Sequence, residues 1–314
     1  MKRETFFVQP LWPKLRAALT VLLLASPLGV ARVSAPHPLA TASSSVPSIE
    51  TVQFQSKLLN ATLPYNVILP TDYHYSRTTR YPVLYLLHGV TGHYSDWITH
   101  TNVAEYAAGY RMIVVMPEGN NGWYTDSATV PADKYETYIL KELIPEVQKR
   151  YRTIEARYGR AVAGLSMGGY GALKFGLKFP DTFAFAGSMS GALGAPAWTE
   201  SDLKDPGAIR DSVLSVFGSA GSETRKANDI FEIVRGLAPS RVAALPYFYL
   251  DCGTEDGLFS FSQQFAALLR EKKIAHEYSE LPGNHNWAYW DQQALEILKI
   301  AARHIRMPPS FRKR

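Results

Sequence analysis

The residues best placed to do chemistry are Gly164-Leu165-Ser166-Met167-Gly168, a G-x-S-x-G pentapeptide. With glycine at about 7% of residues, such a pattern arises by chance in roughly one chain in ten of this length. Its setting therefore carries the argument. It follows an apolar run at 161–163 and precedes a helix-like stretch at 170–179. A sharp strand-to-helix turn there would expose the serine hydroxyl and aim a helix N-terminus at the reacting centre. Glycines two before and two after Ser166 permit the crowded backbone that such a turn needs.

A serine hydroxyl is a poor nucleophile until a base takes its proton, and the base needs an acid to orient it. In a strand–turn–helix setting the chain order is Ser, then Asp or Glu, then His. His276, His285 and His304 lie well downstream. His276 starts an apparent strand and His304 falls in a final helix, so both read as structural or solvated. His285 sits in Leu281-Pro282-Gly283-Asn284-His285-Asn286-Trp287, a loop between strand and helix, and is the expected base. For the acid, Asp251, Glu255 and Asp256 compete in the run from Tyr247 to Gly257. Asp251 is close to the strand and reads as a loop anchor. Asp256 lies in the turn proper and is the choice, with Glu255 the main rival.

A tetrahedral intermediate also needs backbone donors for its oxyanion. The Met167 amide, directly after the serine, is one. The other is expected from Leu87-His88-Gly89-Val90-Thr91-Gly92, where Val90 is the candidate. His88 and His93 could suggest a metal, but no carboxylate stands at convincing spacing, and loop packing is the reading adopted for each. No cofactor is called for. Cys252, the one cysteine, excludes an intramolecular disulfide and a cysteine metal site, and reads as a small buried hydrophobe.

Those groups need a scaffold. Strands are expected at 51–59, 65–69, 82–87, 112–116, 161–163, 183–188, 246–250 and 277–281. The middle ones are continuous apolar runs, as for strands covered on both faces. Helices are expected at 134–149, 259–272 and 287–304, where apolar residues recur every three or four positions. An antiparallel-looking pair followed by repeated strand–helix units implies an α/β fold with an open, mostly parallel sheet. Its ligand site then lies beyond the carboxyl ends of the strands. The stretch 193–227, rich in Gly, Ser, Asp and Pro, reads as an irregular connection: a lid, a binding loop or a tolerated insertion.

The N-terminus has its own character. Four basic residues, an uncharged apolar run at 17–31 and Val33-Ser34-Ala35 describe a signal peptide over residues 1–35, whose cleavage point is open. Export to the periplasm or the medium is the expectation, with no membrane association once the signal is removed. Residues 36–48 read as a flexible lead-in, 49–308 as the catalytic domain and 309–314 as a basic tail. Without residues 1–35 the chain holds 28 Lys and Arg against 27 Asp and Glu, a net charge of +1. The sequence pI of about 9.1 thus belongs largely to the leader and gives no support to nucleic-acid binding.

Five segments carry a family resemblance: Tyr85-Leu86-Leu87-His88-Gly89, Gly122-Trp123-Tyr124-Thr125-Asp126, 163–173 around Ser166, Cys252-Gly253-Thr254-Glu255-Asp256 and Pro282-Gly283-Asn284-His285-Asn286-Trp287. In this order the chain resembles the α/β-hydrolase esterase family of tributyrin esterases, S-formylglutathione hydrolases, feruloyl esterases and mycolyltransferases, its tributyrin-esterase-like branch most of all. One departure is Asn284, where glycine is expected before the histidine. The resemblance implies the α/β-hydrolase fold, with helices on both faces of the sheet. It also implies Ser166, Asp256 and His285 as a triad, Val90 and Met167 as oxyanion donors, and an acyl-enzyme route to carboxylic-ester hydrolysis. Short acyl, acetyl-carbohydrate or feruloyl esters are the implied substrates. Acyl transfer, or hydrolysis of a formylglutathione-type thioester, is the alternative within this chemistry, and a non-catalytic binding protein the remote one. Trp97, Trp123 and Tyr124 are the candidate pocket aromatics.

Overall fold

The computed structural model describes residues 47–204 and 206–308. The expected signal peptide, the basic tail and all but the end of the lead-in lie outside the described residues.

Among the described residues, eight strands form one sheet. They are β1 Ser48–Ser56, β2 Ala61–Leu69, β3 Val83–Leu87, β4 Ile113–Pro117, β5 Arg160–Leu165, β6 Phe185–Met189, β7 Tyr247–Gly253 and β8 His276–Leu281. Their spatial order is β1-β2-β4-β3-β5-β6-β7-β8. β2 runs antiparallel to both β1 and β4, and every later pairing is parallel. The eight expected strands all form, with their ends shifted by a few residues.

The apolar runs explain the layering. β3, β4 and β6 are buried at every position, because helices cover both faces. Tyr85, Leu87, Val115 and Val162 pack on one side with Leu173 and Phe175 of helix Met167–Lys178 and with Phe265 and Leu269 of helix Phe259–Glu271. Leu84, Leu86, Val114 and Leu165 pack on the other, with Trp97 and with Ile297 and Leu298 of helix Trp287–His304. At about 1.5–3 kcal/mol per fully buried large aliphatic side chain, these two cores supply the main stabilisation. β1 instead alternates between covered and exposed positions, as an edge strand does.

Two elements differ from the sequence expectation. The helix expected at 134–149 forms, but as Tyr135–Tyr138, a π-helical turn Ile139–Leu143, and Ile144–Arg150. Pro145 has no N–H for the carbonyl of Lys141, and its ring crowds that carbonyl, so a wider turn relieves the clash. The stretch 193–227 is also more ordered than its composition suggested. It holds the helix Ala208–Phe217, which buries Ser212, Val213, Val216 and Phe217 and ends at Gly218 with φ of 74°. That spacing of one, three and one is a buried stripe, apolar at three of its four positions, and Gly218 is its stop signal.

The parallel strands set out the site. β3, β4, β5, β6, β7 and β8 end at residues 87, 117, 165, 189, 253 and 281, and the loops after them meet at one edge of the sheet. In open α/β sheets a ligand binds in the crevice beyond the carboxyl ends of the strands, at that edge.

Candidate active site

Ser166 follows β5 and caps the helix Met167–Lys178. Its φ is 51° and its ψ −117°, a conformation that a side-chain-bearing residue rarely adopts. The surroundings enforce it. Ser166 N donates to Met189 O at 3.0 Å, and Ser166 O accepts from Tyr170 N and Ala192 N, each at 3.0 Å. A Cβ on Gly164 would stand 2.6 Å from the Gly168 carbonyl carbon, and one on Gly168 would stand 2.5 Å from Leu87 O. The two glycines of the pentapeptide are thus needed because β3, β5 and the helix start converge there.

His285 comes from the loop after β8. Its Nε2 lies 3.0 Å from Ser166 Oγ and its Nδ1 2.8 Å from Asp256 Oδ2. With Nδ1 protonated and donating to the carboxylate, Nε2 is free to accept the serine proton. The imidazole edge meets Trp290, with ring centroids 4.9 Å apart at 88°. Asn286 accepts from Tyr289 N at 3.1 Å and caps the helix Trp287–His304, which fixes where the histidine loop ends.

Asp256 is 5% exposed. Burial alone would raise its pKa, but the His285 hydrogen bond and the Leu258 amide, at 2.8 Å from Oδ1, hold it below the ordinary carboxylate value. It is therefore an anion aimed at the imidazole. Its two rivals have other work. Asp251 is buried at the end of β7, takes the Tyr289 hydroxyl on Oδ1 at 2.9 Å, and has its pKa pushed up to about 8 by desolvation. The Asp251 carbonyl accepts from Ser190 N at 2.9 Å. Glu255 ties two loops together. Its Oε2 accepts from Gly283 N at 2.5 Å, while its own N–H donates to Gly283 O at 3.0 Å.

The loop after β3 faces Ser166 from the opposite side. Val90 and Ser166 border one cavity of about 640 Å³ together with Gly89, His285, Trp287 and Trp290. Met167 N stands at the first position of its helix, where no intrahelical acceptor exists. Thr91 N, next to Val90, donates to Asn121 Oδ1 at 2.7 Å, which fastens the loop from outside.

The expectation that no carboxylate serves His88 and His93 needs correction. Glu118, just past β4, lies 3.3 Å from His88 Nε2 and 3.3 Å from His93 Nδ1. Parallel neighbours β3 and β4 bring the three groups to one edge although Glu118 stands far along the chain. Burial would raise the Glu118 pKa, but His88 and the Asn120 and Tyr94 amides outweigh it and pull it down to about 2. His88 Nδ1 donates to Gly89 O at 2.7 Å, and Nε2 lies between Glu118 Oε1 at 3.3 Å and Gly119 N at 2.9 Å. This His–Glu pair belongs to the bracing of the β3 loop.

The pocket aromatics also need correction. Trp97, Trp123 and Tyr124 are all buried and none borders the cavity. Trp97 donates to Leu87 O at 3.3 Å, Trp123 to Ser212 Oγ at 3.0 Å, and Tyr124 to His88 O at 3.1 Å. Position after a strand does not say which way a side chain faces, and these three turn inward to brace the loops. The cavity is bordered instead by Trp287, Trp290, His100 and Ile209. A signal for the tryptophans existed in the i, i+3 spacing of Trp287 and Trp290 directly after His285. Of the other histidines, His304 stacks on Tyr247 at 3.6 Å and His276 bonds Ile274 O, both far from Ser166 in role.

Comparison with known proteins agrees with this arrangement. The Esterase family, described as "Putative esterase", matches residues 56–300. The chain belongs to that esterase family. An acetyl esterase of Caldicellulosiruptor saccharolyticus is 28% identical over 253 residues, covering 78% of this chain and 94% of that protein. A ferulic acid esterase structure superposes with a TM-score of 0.72 at 27% identity, over 82% of this chain and 99% of the other. An S-formylglutathione hydrolase of Staphylococcus aureus gives 0.67 at 25% identity, over 81% and 98%. The esterase has the α/β-hydrolase fold and is a serine hydrolase of carboxylic esters. Among its described residues no helix is long and apolar enough to cross a membrane.

Proposed function

We propose that the esterase works through an acyl-enzyme on Ser166. His285 Nε2 takes the hydroxyl proton as Ser166 Oγ attacks the ester carbonyl. The Asp256 carboxylate orients the ring and stabilises the imidazolium that forms. The Val90 and Met167 amides receive the oxyanion. Collapse expels the alcohol, protonated by His285, and water then repeats the sequence on the acyl-enzyme. The observation that carries this reading is the unbroken hydrogen-bond line from Asp256 through His285 to Ser166, at 2.8 and 3.0 Å.

The substrate is a short acyl, acetyl-carbohydrate or feruloyl ester. The cavity supports it: about 640 Å³, with Val90, Trp287, Trp290 and Ile209 for an acyl group and Thr91, Asp96 and Asn286 for a polar alcohol. The names of the acetyl esterase and the ferulic acid esterase point the same way. Export is proposed from the basic, apolar and small-residue pattern of residues 1–35.

The test is hydrolysis of acetyl, butyryl, octanoyl and feruloyl esters by the parent and by Ser166→Ala, with a fluorophosphonate label located by mass spectrometry. Ser166→Ala should lose ~10³-fold or more in kcat and the label should sit on Ser166. Full hydrolysis by Ser166→Ala would overturn the assignment.

A further inference from the structure

Two consecutive bulky residues, Trp123 and Tyr124, have φ of 49° and 50°. Left-handed backbone at an indole and then a phenol is strained, and it persists only where the surroundings over-determine it. Here they do. Lys174, wholly buried on the helix that Ser166 caps, donates from Nζ to Tyr124 O at 2.5 Å and to Thr125 Oγ1 at 2.8 Å. Its charge is met by Glu136 Oε2 at 2.7 Å. A Cβ on Gly171 would lie 2.7 Å from Tyr124 Cδ2, and one on Gly119 would lie 2.6 Å from Tyr124 Cε1. The ring is thus wedged between the nucleophile's helix and the end of β4.

The kink brings the phenol hydroxyl to His88 O, at 3.1 Å. That carbonyl sits beside the first turn of the same helix, since a Cβ on Gly168 would stand 2.6 Å from it. Two residues on is the Val90 amide, and one residue before Gly168 is the Met167 amide. The His88 carbonyl, together with that of Leu87, is therefore part of the contact that separates the two oxyanion donors. A shift of tenths of an ångström there changes the gap between them.

We propose that Tyr124 is a positioning residue for the oxyanion site, its hydroxyl holding the His88 carbonyl so that the Val90 amide stands at the right distance from the Met167 amide. Lys174 is the second member of the brace, fixing the backbone turn that delivers the phenol. The inference rests on the reading of Val90 and Met167 as oxyanion donors. Burial keeps the phenol pKa well above its usual value, so the hydroxyl stays a donor throughout the working pH range.

The experiment is Tyr124→Phe in the full chain, with Tyr138→Phe as the matched control. Tyr138 is equally buried, and its hydroxyl has no hydrogen-bond partner among the described residues. With a short p-nitrophenyl ester, Tyr124→Phe should lower kcat roughly 10-fold, less than the loss of an oxyanion donor itself, and leave KM within about twofold. Affinity for a phenylboronic acid, which places a charged oxygen in the oxyanion site once bound to serine, should fall by the same factor. Affinity for the product carboxylic acid should not move. Tyr138→Phe should match the parent in all three measurements. Unchanged kcat and boronate affinity in a cooperatively melting Tyr124→Phe overturns the proposal, as does a loss carried by KM alone. If that variant does not melt cooperatively, 3-fluorotyrosine at position 124 replaces it, keeping the shape and altering the hydroxyl's acidity. A changed boronate affinity then supports the brace, and an unchanged one overturns it. An inactive Ser166→Ala beside a fully active Tyr124→Phe removes this inference alone, whereas an active Ser166→Ala removes the mechanism beneath it.

Discussion

Asp251 and Asp256 stand five residues apart, one near the end of β7 and the other in the loop beyond it, yet they obey opposite electrostatic rules. Both are buried. Asp251 has its pKa driven up to about 8 by desolvation, with the Tyr289 hydroxyl and its other phenol neighbour Tyr249 unable to compensate. Asp256 is desolvated too, yet it is held below its ordinary value by His285 and the Leu258 amide. A neutral phenol can only share a hydrogen bond, whereas an imidazole can also carry the opposite charge. Burial of a carboxylate therefore does not mark it as the acid of a triad. The partner decides.

The sharpest way to break this comparison is to make the same substitution at both sites. Asp256→Asn keeps the shape but cannot support the imidazolium or hold the ring tautomer, and kcat should fall by ~10³–10⁴-fold. Asp251→Asn replaces a largely protonated carboxyl with a neutral amide, so kcat at pH 7 should stay within about threefold. Steady-state hydrolysis of p-nitrophenyl acetate by the two variants decides the matter. Equal losses would mean that Asp251 has a part in catalysis that its hydrogen bonds do not reveal.

Stability against pH sharpens the same contrast. A carboxyl whose folded pKa is raised binds its proton more tightly when folded, so the protein loses stability as pH rises from the unfolded value near 3.8 to the folded value near 8. Asp251→Asn removes that liability. Its melting temperature relative to the parent should climb between about pH 4 and pH 8 and level off above, as read by thermal melts across the range. For Asp256 the sign is reversed. Its depressed pKa gives stability that is present above the unfolded value and lost as pH falls through the folded one, so Asp256→Asn should forfeit stability at neutral pH and match the parent in acid.

That Ser166, Asp256 and His285 come together is legible in the sequence, because each follows an apolar strand at the same edge of a parallel sheet, and a strand's end can be read from its run of buried residues. Glu118 was not, because it meets His88 and His93 through the pairing of β3 with β4, a neighbour relation that spacing along the chain does not carry. Trp97, Trp123 and Tyr124 were misread as pocket residues for a related reason. The facing of Trp123 and Tyr124 depends on left-handed backbone and on a buried lysine two helical turns from Ser166, and that of Trp97 on its short helix packing against β3, none of which leaves a pattern in composition. Trp287 and Trp290 could have been found, since a helix starting directly after His285 must present its first turn to the same cavity.

Glu255 lies between the two aspartates in sequence and gives the smallest expected effect. It is exposed, so its charge is screened and contributes little by itself. What it does is mechanical: the paired bonds to Gly283 N and from its own N–H to Gly283 O join the acid loop to the histidine loop. Gly283 is also pressed against Tyr289, because a Cβ there would meet that ring at 2.5 Å. Removing the carboxylate leaves the backbone half of the clip in place and frees one exposed amide to bond water. Glu255→Ala should therefore cost about 0.5–1.5 kcal/mol of stability, the range of a single net hydrogen bond. His285 would sample more positions relative to Asp256, lowering kcat about two- to fivefold with KM unchanged. Glu255→Gln, which keeps an acceptor oxygen for Gly283 N, should recover most of both losses. A Gln variant no better than Ala would mean that the charge of Glu255, and not its bond to the histidine loop, is what matters at this end of the site.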